Sequence, residues 1–311
     1  MNYYTHPYIN VFDVSNSNEI TLIDHLNGFS LDQKNHVLDK IQNYQLTVYS
    51  QYILSDEIKQ NYPNLNLKFS LINQYKINFE SLENYKFHAS KNLTNFICSF
   101  NGTEHISRQF LVSALSKFGW FNTDYCTKNF VTSRDRVDGN ILKFVANDEE
   151  QFYRKFLLTD DTDFYRNIYT IDYDRFNHSC NLNTLKDIIL SSFVQIVSET
   201  IGNSYYPFIT EKFLYPILLK TLWITYGQPG WHHHIETYYG FKKYNKVFNY
   251  QFDLIKNPII RLIELLTMLS KFEKLSKLDW HDLYLLEQET IEYNYDWFMS
   301  KKYLEKLKTH A

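Results

Sequence analysis

The sequence predicts an α/β fold of two parallel-sheet halves with a helical tail, on three observations. Short apolar runs alternate with helical patterns through most of the chain, the order that crossover helices impose on a parallel sheet. The 311 residues suffice for one large α/β domain or two of ordinary size, and at 44% hydrophobic and 22% charged the composition is that of a packed globule. Residues 278–311 read as one or two amphipathic helices.

Taken in order, "YINVFDV" (8–14), "LTVYSQYIL" (46–54) and "LKFSLIN" (67–73) read as strands. Between the first two, "SLDQKNHVLDKIQ" (30–42) opens on Ser30 and Asp32 and sets Val37, Leu38 and Ile41 at helical spacing. A second set begins with the strand "TNFICSF" (94–100) and a helix from Ser107 to Phe118, whose apolar positions are Phe110, Leu111, Ala114, Leu115 and Phe118, with Gly119 as its C-cap. The strand "NIYTIDY" (167–173), a helix over 182–192, the strand "FVQIVSE" (193–199), a helix opening at Thr210 and the strand "LWITYG" (222–227) follow. A short helix ending near Gly240 and a well-buried one from Pro258 to Leu275 complete the set. These elements divide as 1–90, 91–277 and 278–311: two Rossmann-like halves facing a cleft, then C-terminal helices. Such halves bind ligands at the carboxyl ends of their strands.

Composition removes several classes of function. A net charge of −3 gives no overall basic field for nucleic acid, and Lys301, Lys302, Lys306 and Lys308 suit a solvated helix end. Aromatic residues reach 18%, which fits stacking surfaces but follows more simply from a low-GC codon bias. Cys98, Cys126 and Cys180 are three and widely spaced and form no CxxC pair, so no disulfide framework is expected. The opening "MNYYTHPYINVFDV" has no secretory pattern, and the longest apolar run is interrupted by Lys220, so a cytoplasmic chain without a transmembrane segment is expected. Neither GxGxxG nor a P-loop occurs, which disfavours a dinucleotide cofactor and a kinase.

The most informative stretch is "VSETIGNSYYPFITEKFLYPILLK" (197–220). Thr210 is a good N-cap, and Lys212 then falls in the first helical turn, where a cation opposes the helix dipole. Glu211 can neutralise it, or the free amides of that turn and Lys212 can together cradle a phosphate. Pro216 is expected in the helix interior, bending the axis.

This stretch resembles the nucleotide-binding core of the fucosyltransferase-like glycosyltransferases, and more closely a set of phage and viral glycosyltransferases sharing that core. Val197-Ser198-Glu199-Thr200 resembles their acidic strand end, and Ile209-Thr210-Glu211-Lys212-Phe213 their Thr-Glu-Lys helix. Pro216, "LWITYGQPG", Gly240-Phe241-Lys242, Asn257-Pro258-Ile259-Ile260-Arg261, "FICSFNGTEHISRQFLVSAL" and "IEYNYDWF" (291–298) extend the resemblance over roughly residues 94–298. It implies a two-domain (GT-B) enzyme that moves a sugar from a nucleotide-diphosphate donor to an acceptor hydroxyl, on a glycan or on a hydroxymethylated base in phage DNA. It also implies no cofactor and no bound metal. Lys212 and Arg108 would neutralise the departing pyrophosphate, Glu211 would hold the ribose, and Glu199 would stand at the mouth of the same loop. Thr210, Gly227 and His232 complete the implied donor-binding set. The chain departs from the pattern at "GWHHHIE" and at Asn257, where an acidic residue is common.

Other constellations stay open. His232, His233 and His234 are consecutive, so one metal cannot take all three, although Glu236 or His105 would be needed to build a zinc site with any of them. Asp172 with Asp174, and Asp161 with Asp163, form DxD pairs of the kind by which one-domain (GT-A) transferases hold a divalent cation. A general base is expected from the first half, with Asp13, Asp24 and His25 as candidates and the pair Asp24 and His25 preferred. Competing functions are an inactive transferase fold used as a binding module, and a sugar phosphorylase or epimerase.

Overall fold

The computed structural model describes residues 2–5, 19–23, 38, 41–50, 56–70, 79–86, 91–101, 106–122, 125–128, 178–199, 207 and 209–309. Among the described residues, the protein is a mixed α/β structure with two four-stranded parallel sheets. In the first, β1 (Asn2–Thr5), β2 (Glu19–Ile23), β3 (Leu46–Ser50) and β4 (Leu65–Phe69) lie side by side in chain order. Helix α1 (Asp56–Asn61) joins the last two. Along β4, Leu65, Leu67 and Phe69 are buried while Asn66 and Lys68 are exposed, the alternation of a strand covered on one face. The strand expected over 8–14, most of the helix over 30–42 and the strand over 167–173 lie outside the described residues.

The second sheet holds β5 (Asn95–Asn101), β6 (Cys126–Lys128), β7 (Ser192–Ser198) and β8 (Leu222–Tyr226), in the order β6-β5-β7-β8. Helix α2 (Ile106–Lys117) follows β5, with Gly119 left-handed behind it, and α3 (His178–Ser191) leads into β7. Every residue of β7 and β8 is buried, as continuous apolar strands require when both faces are covered.

Two different sets of side chains cover those faces. On one, Trp223 of β8 meets Phe213 and Trp231 edge-on, with ring centroids 6.0 and 5.7 Å away. Tyr226, of opposite parity along the same strand, points to the other face and donates its hydroxyl to Pro258 O at 3.1 Å. Pro258 opens α6 (Pro258–Glu273), against which α2 packs.

The segment opening at Thr210 splits in two. A 3₁₀ turn (Glu211–Phe213) runs into the short helix α4 (Leu214–Leu218). Pro216 therefore sits in the first turn of α4, where its missing N–H has no intrahelical acceptor to lose, and not in the bent helix interior that the sequence suggested. After β8 come α5 (Trp231–His234) and a π-helical turn (Ile235–Tyr239), closed by a left-handed Gly240. The tail forms three helices: α7 (Lys277–Leu286), begun by a Ser276/Asp279 capping box, α8 (Gln288–Met299) and α9 (Lys302–Lys308).

The tail is fastened to the Gly240 turn by polar side chains of α8. Asn294 accepts from Lys242 N at 2.7 Å and donates to Lys242 O at 3.0 Å, while Trp297 Nε1 donates to Tyr239 O at 2.8 Å. Residues 79–85 dock here too. Phe79 packs on Phe213 and Tyr303, and the buried Glu83 accepts from the Tyr303 hydroxyl at 2.9 Å while pairing with Lys301.

Gly240 and Gly119 separate two costs of a side chain at positive φ. At Gly119 (φ +73°) a Cβ would meet nothing within 4 Å, so Gly119→Ala is expected to cost about 1 kcal/mol of conformational strain. At Gly240 (φ +83°) it would lie 2.7 Å from Trp297, which cannot retreat without breaking its bond to Tyr239 O. Urea unfolding should therefore show Gly240→Ala losing more than about 2 kcal/mol. Equal losses in the two variants would mean that Trp297 does not pin the turn.

Candidate functional site

Ligands of open parallel sheets lodge where strand order reverses, because connections from neighbouring strands there leave toward opposite faces. The second sheet has such a point. The chain runs from β5 outward to β6, then returns past β5 to β7 and β8. Helix α2, following β5, lies with α6 on the Tyr226 face, whereas the 3₁₀ turn following β7 lies on the Trp223 face. A crevice is therefore expected between the carboxyl ends of β5 and β7. The described strands of the first sheet run in chain order and have no equivalent.

Four sequence-predicted residues meet at this crevice. Glu199, immediately after β7, is fully buried. Its carboxylate accepts from Thr210 N at 3.2 Å and from the Thr210 hydroxyl at 2.7 Å. Thr210 in turn caps the 3₁₀ turn by accepting from Lys212 N at 3.4 Å. Lys212 Nζ stands 3.2 Å from Glu211 Oε1, so the first-turn cation is neutralised by its sequence neighbour. Lys212 is the more open member of that pair, with 19% of its side chain exposed against 8% for Glu211. Burial pushes the Glu199 carboxyl up to about 7, against the opposing pull of Lys212 and the two Thr210 hydrogen bonds. Tyr239, also buried, is raised by burial and by the neighbouring Glu199 charge, which places it beside the same carboxyl. The arrangement offers one partly exposed ammonium flanked by two carboxyl groups at the end of a parallel sheet.

Comparison with protein-family models, with curated proteins and with solved structures finds no match.

The remaining candidates sort by position. Arg108 is buried in the first turn of α2, the helix that leaves the crevice from β5. Gly227 follows β8. A Cβ there would lie 2.9 Å from the Trp231 ring, and its carbonyl accepts from Arg261 Nε at 3.1 Å. His232 is enclosed, with both ring nitrogens used internally. Thr225 N donates to Nε2 at 3.0 Å, so the proton resides on Nδ1, which donates to Asp253 at 2.8 Å. Asp253 also accepts from His232 N and His233 N, making it the acidic cap of α5. Of the three histidines, His233 alone is exposed, while His232 and His234 are buried. Asn257 accepts from Ile259 N and Ile260 N as the N-cap of α6, a task that asparagine and aspartate share.

Asp24 and His25 lie outside the described residues, as do Asp13, His105, Asp161, Asp163, Asp172 and Asp174. Among the described residues no group of three or more His, Cys, Asp or Glu gathers, and no helix is long and apolar enough to cross a membrane. Sequence reasoning missed Asp253 and Asn294. Both act on backbone groups far away in the chain, His232 N and Lys242 N, and no local pattern announces such a partner.

The raised Glu199 carboxyl has a consequence for stability. The folded protein retains a proton up to about pH 7 that the unfolded chain releases near its ordinary value of 4.5, so stability falls as pH rises through that window. The full cost, present above pH 7, is on the order of 3 kcal/mol. Glu199→Gln does not titrate and keeps an acceptor for Thr210 N. Its stability relative to wild type should rise between pH 5 and pH 8 in chemical unfolding, and a pH-independent difference would contradict the assignment.

Proposed function

We propose that the protein is a glycosyltransferase of two Rossmann-like domains (GT-B type), moving a sugar from a nucleotide-diphosphate donor to an acceptor hydroxyl. The observation that carries this reading is the Glu199–Thr210–Glu211–Lys212 constellation at a strand-order reversal, on a segment that resembles a nucleotide-binding core. A diphosphate carries more negative charge than Glu211 and draws Lys212 away from it, leaving the carboxylate to accept from the ribose hydroxyls. Lys212 and the buried Arg108 then oppose the charge that develops on the β-phosphate as the bond from sugar to phosphate oxygen breaks. The acceptor oxygen forms the new bond to the sugar and gives its proton to a base, for which Asp24 and His25 remain the candidates. Thr210 acts indirectly, holding the turn that carries Glu211 and Lys212. Supports for a metal-independent route are the resemblance and the cationic pair. The acceptor is a glycan or a hydroxymethylated base, and the net charge of −3 favours the uncharged glycan.

A panel of UDP, GDP, ADP, CMP and dTDP sugars, each with and without EDTA, tests the reading by thermal shift. Stabilisation by one nucleotide regardless of EDTA is expected. Stabilisation abolished by EDTA would instead favour a DxD-bound cation, and no stabilisation at all would leave the binding-module alternative. In the active enzyme Lys212→Ala should lower kcat by roughly 10²–10³-fold, since the lost interaction is made where charge develops. Unchanged turnover would remove Lys212 from the mechanism.

A further inference from the structure

Among the described residues, this end of the sheet buries two polar atoms, one on β5 and one on β7, that have no hydrogen-bond partner. Asn101 closes β5 and Ser198 closes β7, and their exposures are 0% and 1%. The parallel register pairs Ile97 with Val194 and Cys98 with Gln195, and the same offset extended past the last pair to the strand ends would put Asn101 opposite Ser198 with both side chains on one face. The amide nitrogen of Asn101 is fully used, donating to Ser99 Oγ at 3.2 Å and to Thr127 O at 3.3 Å. Its backbone N–H donates to Thr127 Oγ1 at 3.0 Å. Those bonds fix which way the amide points. Among the described residues, Asn101 Oδ1 and Ser198 Oγ are left buried without hydrogen-bond partners.

An unpaired buried polar group costs stability, and the ends of β-strands readily take apolar residues, so two such groups side by side at a ligand-binding position imply a partner from outside. Their chemistry defines it. Oδ1 only accepts, and Ser198 Oγ either donates or accepts. A phosphate or carboxylate would set oxygen against oxygen at Asn101, so an anion is excluded here, in contrast to the Lys212 side of the crevice. A pair of neighbouring alcohols satisfies both atoms.

We propose that Asn101 and Ser198 form a neutral subsite for two adjacent hydroxyls of a sugar ring, at the strand-order reversal between β5 and β7. The proposal rests on the glycosyltransferase reading and deepens it, assigning recognition of the sugar to uncharged groups and that of the diphosphate to Lys212. Both atoms are enclosed, so a sugar reaches them only when part of their covering moves aside.

The test compares wild type with Ser198→Ala by calorimetric titration against UDP-glucose, UDP-galactose, GDP-mannose and GDP-fucose, each beside free UDP or GDP. Methyl α-glucoside and methyl β-galactoside form a third arm, for a sugar supplied by the acceptor. Ser198→Ala should leave the thermal midpoint of the free protein unchanged or raised, because it removes an unpaired buried hydroxyl. Affinity for the sugar-bearing ligand that binds should fall about 5- to 10-fold, with affinity for the free diphosphate unaltered. A deoxy analogue of that ligand should bind the two proteins equally, which guards against a general packing effect. If sugars bind both proteins alike, or Ser198→Ala weakens free diphosphate and nucleotide sugar equally, the subsite is overturned and an ordered water accounts for the two atoms. If no diphosphate binds at all, the donor reading fails. The subsite then stands on the glycoside arm alone, upheld by binding that Ser198→Ala weakens and overturned by the absence of binding.

Discussion

Burying Glu199 just beyond the end of β7 obliges the chain to bring Thr210 back to it, because a carboxyl group without surface exposure must find donors inside the protein. Thr210 supplies two, its N–H and its hydroxyl, and by doing so fixes the start of the turn that carries Glu211 and Lys212. Each such hydrogen bond contributes roughly 0.5–1.5 kcal/mol net, and leaving the buried carboxyl without either would cost more than that. The position of the partly exposed Lys212 ammonium therefore depends on a carboxyl that never reaches solvent.

The surrounding architecture serves the same end. Phe213, the residue after Lys212, is held edge-on by Trp223, Trp231 and Phe241, at centroid distances of 6.0, 5.6 and 5.4 Å. Phe241 belongs to the Gly240 turn, which α8 clamps through Asn294 and Trp297. Phe79 closes the remaining side of the Phe213 ring at 6.2 Å, and its own segment is anchored by Glu83 to Tyr303 and Lys301. Elements far apart in sequence thus converge on one 3₁₀ turn. Removing polar anchors at the periphery should be felt at the site through Phe213, even though none of them touches the crevice.

Much of this was legible in the sequence where the cause is local. Continuous apolar runs gave β5, β7 and β8 nearly to the residue, Gly119 gave the end of α2, and Thr210 gave the cap. The coarse α/β class followed from their alternation. The 3₁₀ start of the Thr210 segment was not legible, since cap chemistry announces where a helix opens and not how tightly its first turn winds. Nor was the burial of His232, whose neutral ring is held by Thr225 and by Asp253, twenty-one positions away. Least legible was the reversal β6-β5-β7-β8, a property of strand pairing across long connections. Asn101 and Ser198 look like ordinary strand-end residues until that pairing sets them side by side.

We propose above that a nucleoside diphosphate occupies the crevice expected between the carboxyl ends of β5 and β7. Hydrogen–deuterium exchange with and without saturating UDP or GDP tests it most directly, because amides slow where a ligand orders or covers the backbone. The diphosphate that binds should protect peptides covering 95–110 and 192–215. Peptides covering 46–69, in the first sheet, should exchange unchanged. Protection confined to the first sheet, or to the tail helices with the two crevice segments unaltered, would contradict it.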